Sequence, residues 1–124
     1  MREILFRGKR KDCDWWEHGD YSRYFTSDRI WRSFINGFEY EVYPETVGQY
    51  TGLVDIGGKK IFEGDIMKTA VSGITQHVGV VEFSDGAFGL RCTDGSAFFL
   101  CFVAGSFQVI GNIHDNPEFI TKER

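Results

Sequence analysis

A chain of 124 residues, 42% hydrophobic and 26% charged, has the balance of one globular domain. A domain of this size buries roughly two-thirds of its unfolded surface, so its core needs no disulfide or metal staple. The formal net charge of −4 argues against binding by general phosphate attraction, and three cysteines without a C-x-x-C argue against a secreted disulfide framework and fit a reducing cytosol.

Twelve Phe and fifteen Gly against two Pro suit many short strands joined by tight turns. "REILFR" (2–7) alternates and predicts a first strand. "GKRKDCD" (8–14) is a polar turn. "WWEHGDYSRYFT" (15–26) predicts a strand, a turn at Gly19-Asp20 and another strand. In 28–48, Ile30, Trp31, Phe34 and Ile35 have helical spacing. Asn36-Gly37 and the alternating "FEYEVY" instead favour strand–turn–strand. "PETVG" (44–48) reads as a turn or one helical turn started by Pro44.

The second half continues in the same manner. "QYTGLVDI" (49–56) and "KKIFEGDIMK" (59–68) flank a turn at Gly57-Gly58. "HVGVVEFSDGAFGLRC" (77–92) is two strands around Asp85-Gly86. "SAFFLCFVAG" (96–105) is apolar on both faces when read as a strand. Phe98, Leu100 and Phe102 then face one way, and Phe99, Cys101 and Val103 the other. That implies a central strand or a subunit interface. "SFQVIGNIHDNPEFITKER" (106–124) is a last strand, a turn and a polar tail. Eight or nine short strands with turns every 8–12 residues read as all-β, a small barrel or sandwich. The plausible seam lies near residue 48. No signal segment opens the chain, and no apolar run approaches the ~20 residues of a membrane span. The expectation is a soluble cytoplasmic protein.

"MREILFRGKR", "PETVGQYTGL", "GKKIFEGDI", "GVVEFSDGAFGL" and "VIGNIHDNPEF" occur in the order seen in the YopX family, which this chain resembles over nearly its whole length. Residues 20–42 carry the resemblance least. The resemblance implies a small bacteriophage or prophage accessory protein of unknown molecular function, working in a bacterial host cell. It also implies a single mainly β domain over 1–124 with little helix. That domain would comprise an N-terminal β-hairpin or sheet region (1–48) and a small SH3-like β-barrel in the C-terminal half (49–124). It carries over no catalytic residue and no cofactor.

Each chemical candidate meets a plainer reading. Glu63 and Asp65 flank Gly64, and two carboxylates at i and i+2 can meet one cation. Ca²⁺ and Mg²⁺ want more oxygens than these supply, and Gly64 with Asp65 makes a turn. Against the family, "EGD" looks like a barrel corner. Cys13 and His18 lie five apart, and His77 and Cys92 fall on neighbouring predicted strands. No spacing matches a zinc signature, and Cys101 reads as core. His114-Asp115 lies in turn chemistry, and no nucleophile motif or phosphate loop is present. The expectation is no enzyme, no metal and no cofactor.

The strongest binding candidate is the basic and aromatic cluster Arg7, Lys9, Arg10, Lys11, Trp15 and Trp16. Residues 1–32 carry eight Lys/Arg against six acids. Such a cluster can grip single strands by charge and stacking. Asp12, Asp14, Glu17 and Asp20 interrupt it, and one of the two Trp faces the core. A protein-interaction or self-assembling β module, contacting itself or a host or phage protein, is the favoured function. Nucleic-acid binding through the N-terminal cluster is the alternative.

Overall fold

The structure is a computed structural model that describes residues 3–121. The chain divides into two compact units, residues 1–50 and 51–124. Both are built from short antiparallel strands.

In the first unit, β1 (Phe6–Lys9) pairs with β2 (Trp16–Gly19), placing Arg7 opposite His18. The start of β6 (Gly48–Val54) lies along the other side of β1, with Phe6 opposite Gln49. A separate antiparallel sheet holds β3 (Tyr21–Phe25), β4 (Trp31–Ile35) and β5 (Tyr40–Val42) in chain order. Residues 36–39 connect β4 to β5, with Asn36 and Gly37 at φ of 61° and 68° and the Glu39 N–H donating to the Asn36 carbonyl at 3.1 Å. A single 3₁₀ turn, Pro44–Thr46, follows. Phe34, Ile35, Val42 and Tyr50 are buried. Gly8 lets β1 pass over Val42, since a Cβ there would come within 2.9 Å of the valine side chain.

The second unit contains the end of β6, then β7 (Lys60–Phe62), β8 (Asp65–Thr69), β9 (Val78–Ser84), β10 (Ala87–Cys92) and β11 (Ala97–Phe99). One turn of helix, α1 (Leu100–Val103), and a 3₁₀ turn lead to β12 (Phe107–Asn112). Five strands form an antiparallel sheet in the order β11-β10-β9-β8-β12, with a bulge in β12 between Val109 and Gly111. Asp85 and Gly86 make the β9–β10 turn with φ of 53° and 81°. Ile61, Met67, Val81, Leu90, Cys92, Leu100, Ala104 and Phe107 pack into one core. Burial of such side chains stabilises by about 1.5–3 kcal/mol each before entropy is counted.

The fold is mainly β, as the alternation and turn signals indicate. Among the described residues its sheets stay open, however, and none closes into a barrel. The expected strand over 96–105 is cut short. β11 ends at Phe99 and the chain turns helical, which buries Leu100 and throws Cys101 and Phe102 out to solvent. The two-face assignment of that stretch therefore fails, and so does the core placement of Cys101. No helix among the described residues is long and apolar enough to cross a membrane.

Candidate functional site

β1, the loop after it and β2 place the basic–aromatic cluster, and local pairing absorbs much of its charge. The Arg7 guanidinium is buried over the Trp16 ring, 4.8 Å from its centre. Arg10 donates to Asp12 at 2.8 and 2.7 Å and to Glu17 at 3.2 Å, and it also lies over Tyr40. Lys11 donates to Glu41 at 3.1 Å. Glu41 also receives Arg32 at 3.0 Å. Partial burial pushes the Glu41 carboxyl up, but Arg32 and Lys11 together hold it below its ordinary value. The Lys9 backbone N–H donates to Thr46, anchoring the strand. Neither tryptophan is core: Trp15 is 71% exposed and Trp16 is partly covered by Arg7.

Glu63-Gly64-Asp65 is a turn. Gly64 sits at φ 87°, which a side chain would strain, and joins β7 to β8. Its N–H donates to Val81 and its carbonyl accepts from Ile113, both at 2.9 Å. Asp65 is buried and accepts the Phe62 N–H at 2.8 Å. Its carboxylate thus closes the turn by bonding nearby backbone. The His114 and Asp115 N–H groups donate to Asn112 Oδ1 at 3.0 Å, again a turn.

The outer face of β9–β10–β11 is different. Directly opposed residues of antiparallel strands share a face. Glu82, Gly89 and Phe99 are opposed across the three strands, as are Val80, Arg91 and Ala97. Ala87, Gly89 and Ala97 leave a low floor. Phe99 rises beside it, 61% exposed, and its ring meets that of Phe102, 80% exposed, edge to face at 6.1 Å. Arg91 donates to Glu82 across the floor. This groove encloses about 360 Å³, with Phe88, Phe98 and Leu90 also lining it.

Behind that face, His77, Cys92 and Asp94 offer a nitrogen, a sulfur and an oxygen within 4.8 Å of one another. His77 Nδ1 and Asp94 Oδ2 are 2.9 Å apart. A thiol, an imidazole and a carboxylate resemble a nucleophile, base and orienter. The electrostatics oppose that use. Burial, with the Asp94 charge adding, pushes the Cys92 thiol up to about 11, whereas an activated nucleophile needs it lowered.

The model of the YopX protein family matches residues 5–121. The chain belongs to the YopX family. No curated protein matches its sequence. Among the solved structures similar to it are two with a TM-score of 0.58. Protein EF1440 from Enterococcus faecalis is 21% identical, with 98% of this chain and 100% of that chain covered. The yopX protein of Bacillus subtilis is 18% identical, with both chains covered in full. At such identities the likeness is one of fold. The sequence motifs that mark this YopX chain therefore identify turns: "EGD", "DG" and "NIHDNP" each hold a backbone corner.

Sequence spacing brought His77 and Cys92 to neighbouring strands but left out Asp94, which in this YopX member completes the cluster. It also missed the floor of the groove. Ala87, Gly89 and Ala97 are chemically plain, and only the strand register shows that they line up under Phe99.

Proposed function

We propose that this chain is a non-enzymatic phage or prophage accessory protein that works inside the bacterial host cell by associating with a second copy of itself. One observation supports the reading most: Phe99 and Phe102 stand exposed beside the small-residue floor of β9–β10–β11. Two exposed rings in contact form a contiguous apolar patch, the kind of surface that marks an interaction site. A second copy fits because the face carries both halves of a complementary contact, a ridge and a floor. It also carries both signs of charge, in Arg91 and Glu82. A twofold axis would set each ridge on the other copy's floor and each Arg91 near the other copy's Glu82. Among the described residues β11 is an edge strand of its sheet, so a second copy's strand could pair along it.

Size-exclusion chromatography with light scattering tests this. The wild type is expected to run as a dimer or higher oligomer. The double variant Phe99→Ser, Phe102→Ser is expected to run as a folded monomer. A wild type that stays monomeric at every concentration, or a double variant that still associates, overturns the reading.

A further inference from the structure

We propose that His77, Cys92 and Asp94 form a binding site for one zinc-like divalent cation. Zinc binds imidazole nitrogen, thiolate sulfur and carboxylate oxygen at about 2.0–2.3 Å, which sets the ligand atoms of one ion roughly 3–4 Å apart. The three groups already lie within 4.8 Å of one another, so small side-chain rotations close the set. A mixed sulfur, nitrogen and oxygen set selects a borderline metal over Ca²⁺ or Mg²⁺, which take oxygens.

The backbone holds each ligand in place. The His77 N–H donates to Thr69 Oγ1 at 2.8 Å, and the Thr69 N–H donates to the His77 carbonyl at 3.0 Å. The His77 ring packs edge-on against Phe98, 5.2 Å away. Cys92 and Asp94 sit in one tight turn. There the Cys92 N–H donates to the Ser96 carbonyl at 2.8 Å, and the Gly95 N–H donates to the Cys92 carbonyl at 3.1 Å. The Ser96 N–H donates to Asp94 Oδ1 at 2.9 Å, leaving Oδ2 aimed at His77. Ligands on hydrogen-bonded frames lose little freedom when an ion arrives. Cys92 is buried while Asp94 is exposed, so an ion would enter from the Asp94 side, with solvent at its fourth position. Binding exchanges the thiol proton for the ion and releases that proton to solvent, with no change of oxidation state. The site departs from the expectation of no metal, which rested on spacing along the chain. It does not depend on self-association.

The competing account makes His77–Asp94 a plain clamp between two turns, with Cys92 as core. Cobalt(II) titration of the chelator-treated full chain separates the two. The expected result is one equivalent of Co²⁺ with a thiolate-to-cobalt charge-transfer band, displaced by Zn²⁺. Cys92 is buried, and its replacement alone can unfold the unit. The decisive variant is therefore Cys13→Ser, Cys101→Ser, which leaves Cys92 as the sole thiol and is expected to keep the band. His77→Gln and Asp94→Asn are each expected to weaken binding at least about 10-fold. Loss of the band in the double serine variant, unchanged affinity in His77→Gln, or no band at all in the wild type overturns the site.

Discussion

At the scale of single residues, Asp55 shows how much one carboxylate can hold. It is 7% exposed. Oδ1 accepts the Gly57 and Lys59 N–H groups, and Oδ2 accepts the Val109 N–H, all at 2.9 Å. It thus closes the β6–β7 turn and ties it to β12. Burial pushes the carboxyl up, but the three backbone donors more than offset that and hold it below its ordinary value. A carboxyl depressed in the folded state stabilises fully above its unfolded value, and the stabilisation is lost as pH falls through the folded one. Asp55→Ala is expected to cost about 3 kcal/mol at neutral pH, because three donors lose a charged acceptor. Urea unfolding of wild type and variant should show the gap shrinking as the medium drops below the carboxylate range. A gap that stays constant in acid would mean that the charge contributes nothing. The sequence marks this residue only as one acid in "VDIGGKK". Of its two glycines, Gly58 alone takes a positive φ. The bond to Val109 spans 54 residues and is invisible to local turn grammar.

At the scale of elements, legibility follows from how local the determining forces are. Asp85-Gly86 specifies its turn by φ, and its strand pair stands where the dipeptide put it, whereas after Asn36-Gly37 the turn runs on through Phe38 and Glu39 and β5 begins only at Tyr40. "FFLCFV" has no such mark. Alternation and helical spacing both fit a short apolar run, and only its surroundings decide between them. The decisive contact is the fully buried Leu100, which enters the core with Ala104 one helical turn later. That geometry sends Phe102 outward. Leu100→Ala is therefore expected to cost about 3 kcal/mol. Phe102→Ala is expected to change monomer stability by no more than about 0.5 kcal/mol while weakening association. Thermal unfolding of both variants at low protein concentration, where association is minimal, checks the contrast. Were residues 96–105 one continuous strand, alanine at 100 and 102 would cost the same.

At the scale of the whole molecule, charge separates the self-association reading from nucleic-acid binding. Eighteen acids against fourteen Lys/Arg leave the chain at −4, and the one region with a local basic excess is cross-linked by its own carboxylates. Arg10 is held by Asp12 and Glu17, Lys11 by Glu41, and Arg32 by Asp28 and Glu41. A phosphate approaching these cations would have to displace carboxylates that repel it. The counterion release that drives phosphate binding needs cations that are not already neutralised. Of the two tryptophans in the cluster only Trp15 offers an open face for stacking, and the exposed Trp31 is already covered by Arg23 and packed against Phe25. Polarisation titrations with single- and double-stranded DNA and RNA at low salt are therefore expected to show no saturable binding. Arg10→Gln and Lys11→Gln should leave that baseline unchanged. Tight binding that falls steeply with added salt, and that is lost in those two variants, would reinstate the N-terminal cluster as a nucleic-acid interface. It would also mean that the ion pairs open at little cost, as exposed pairs worth about 0–1 kcal/mol each can.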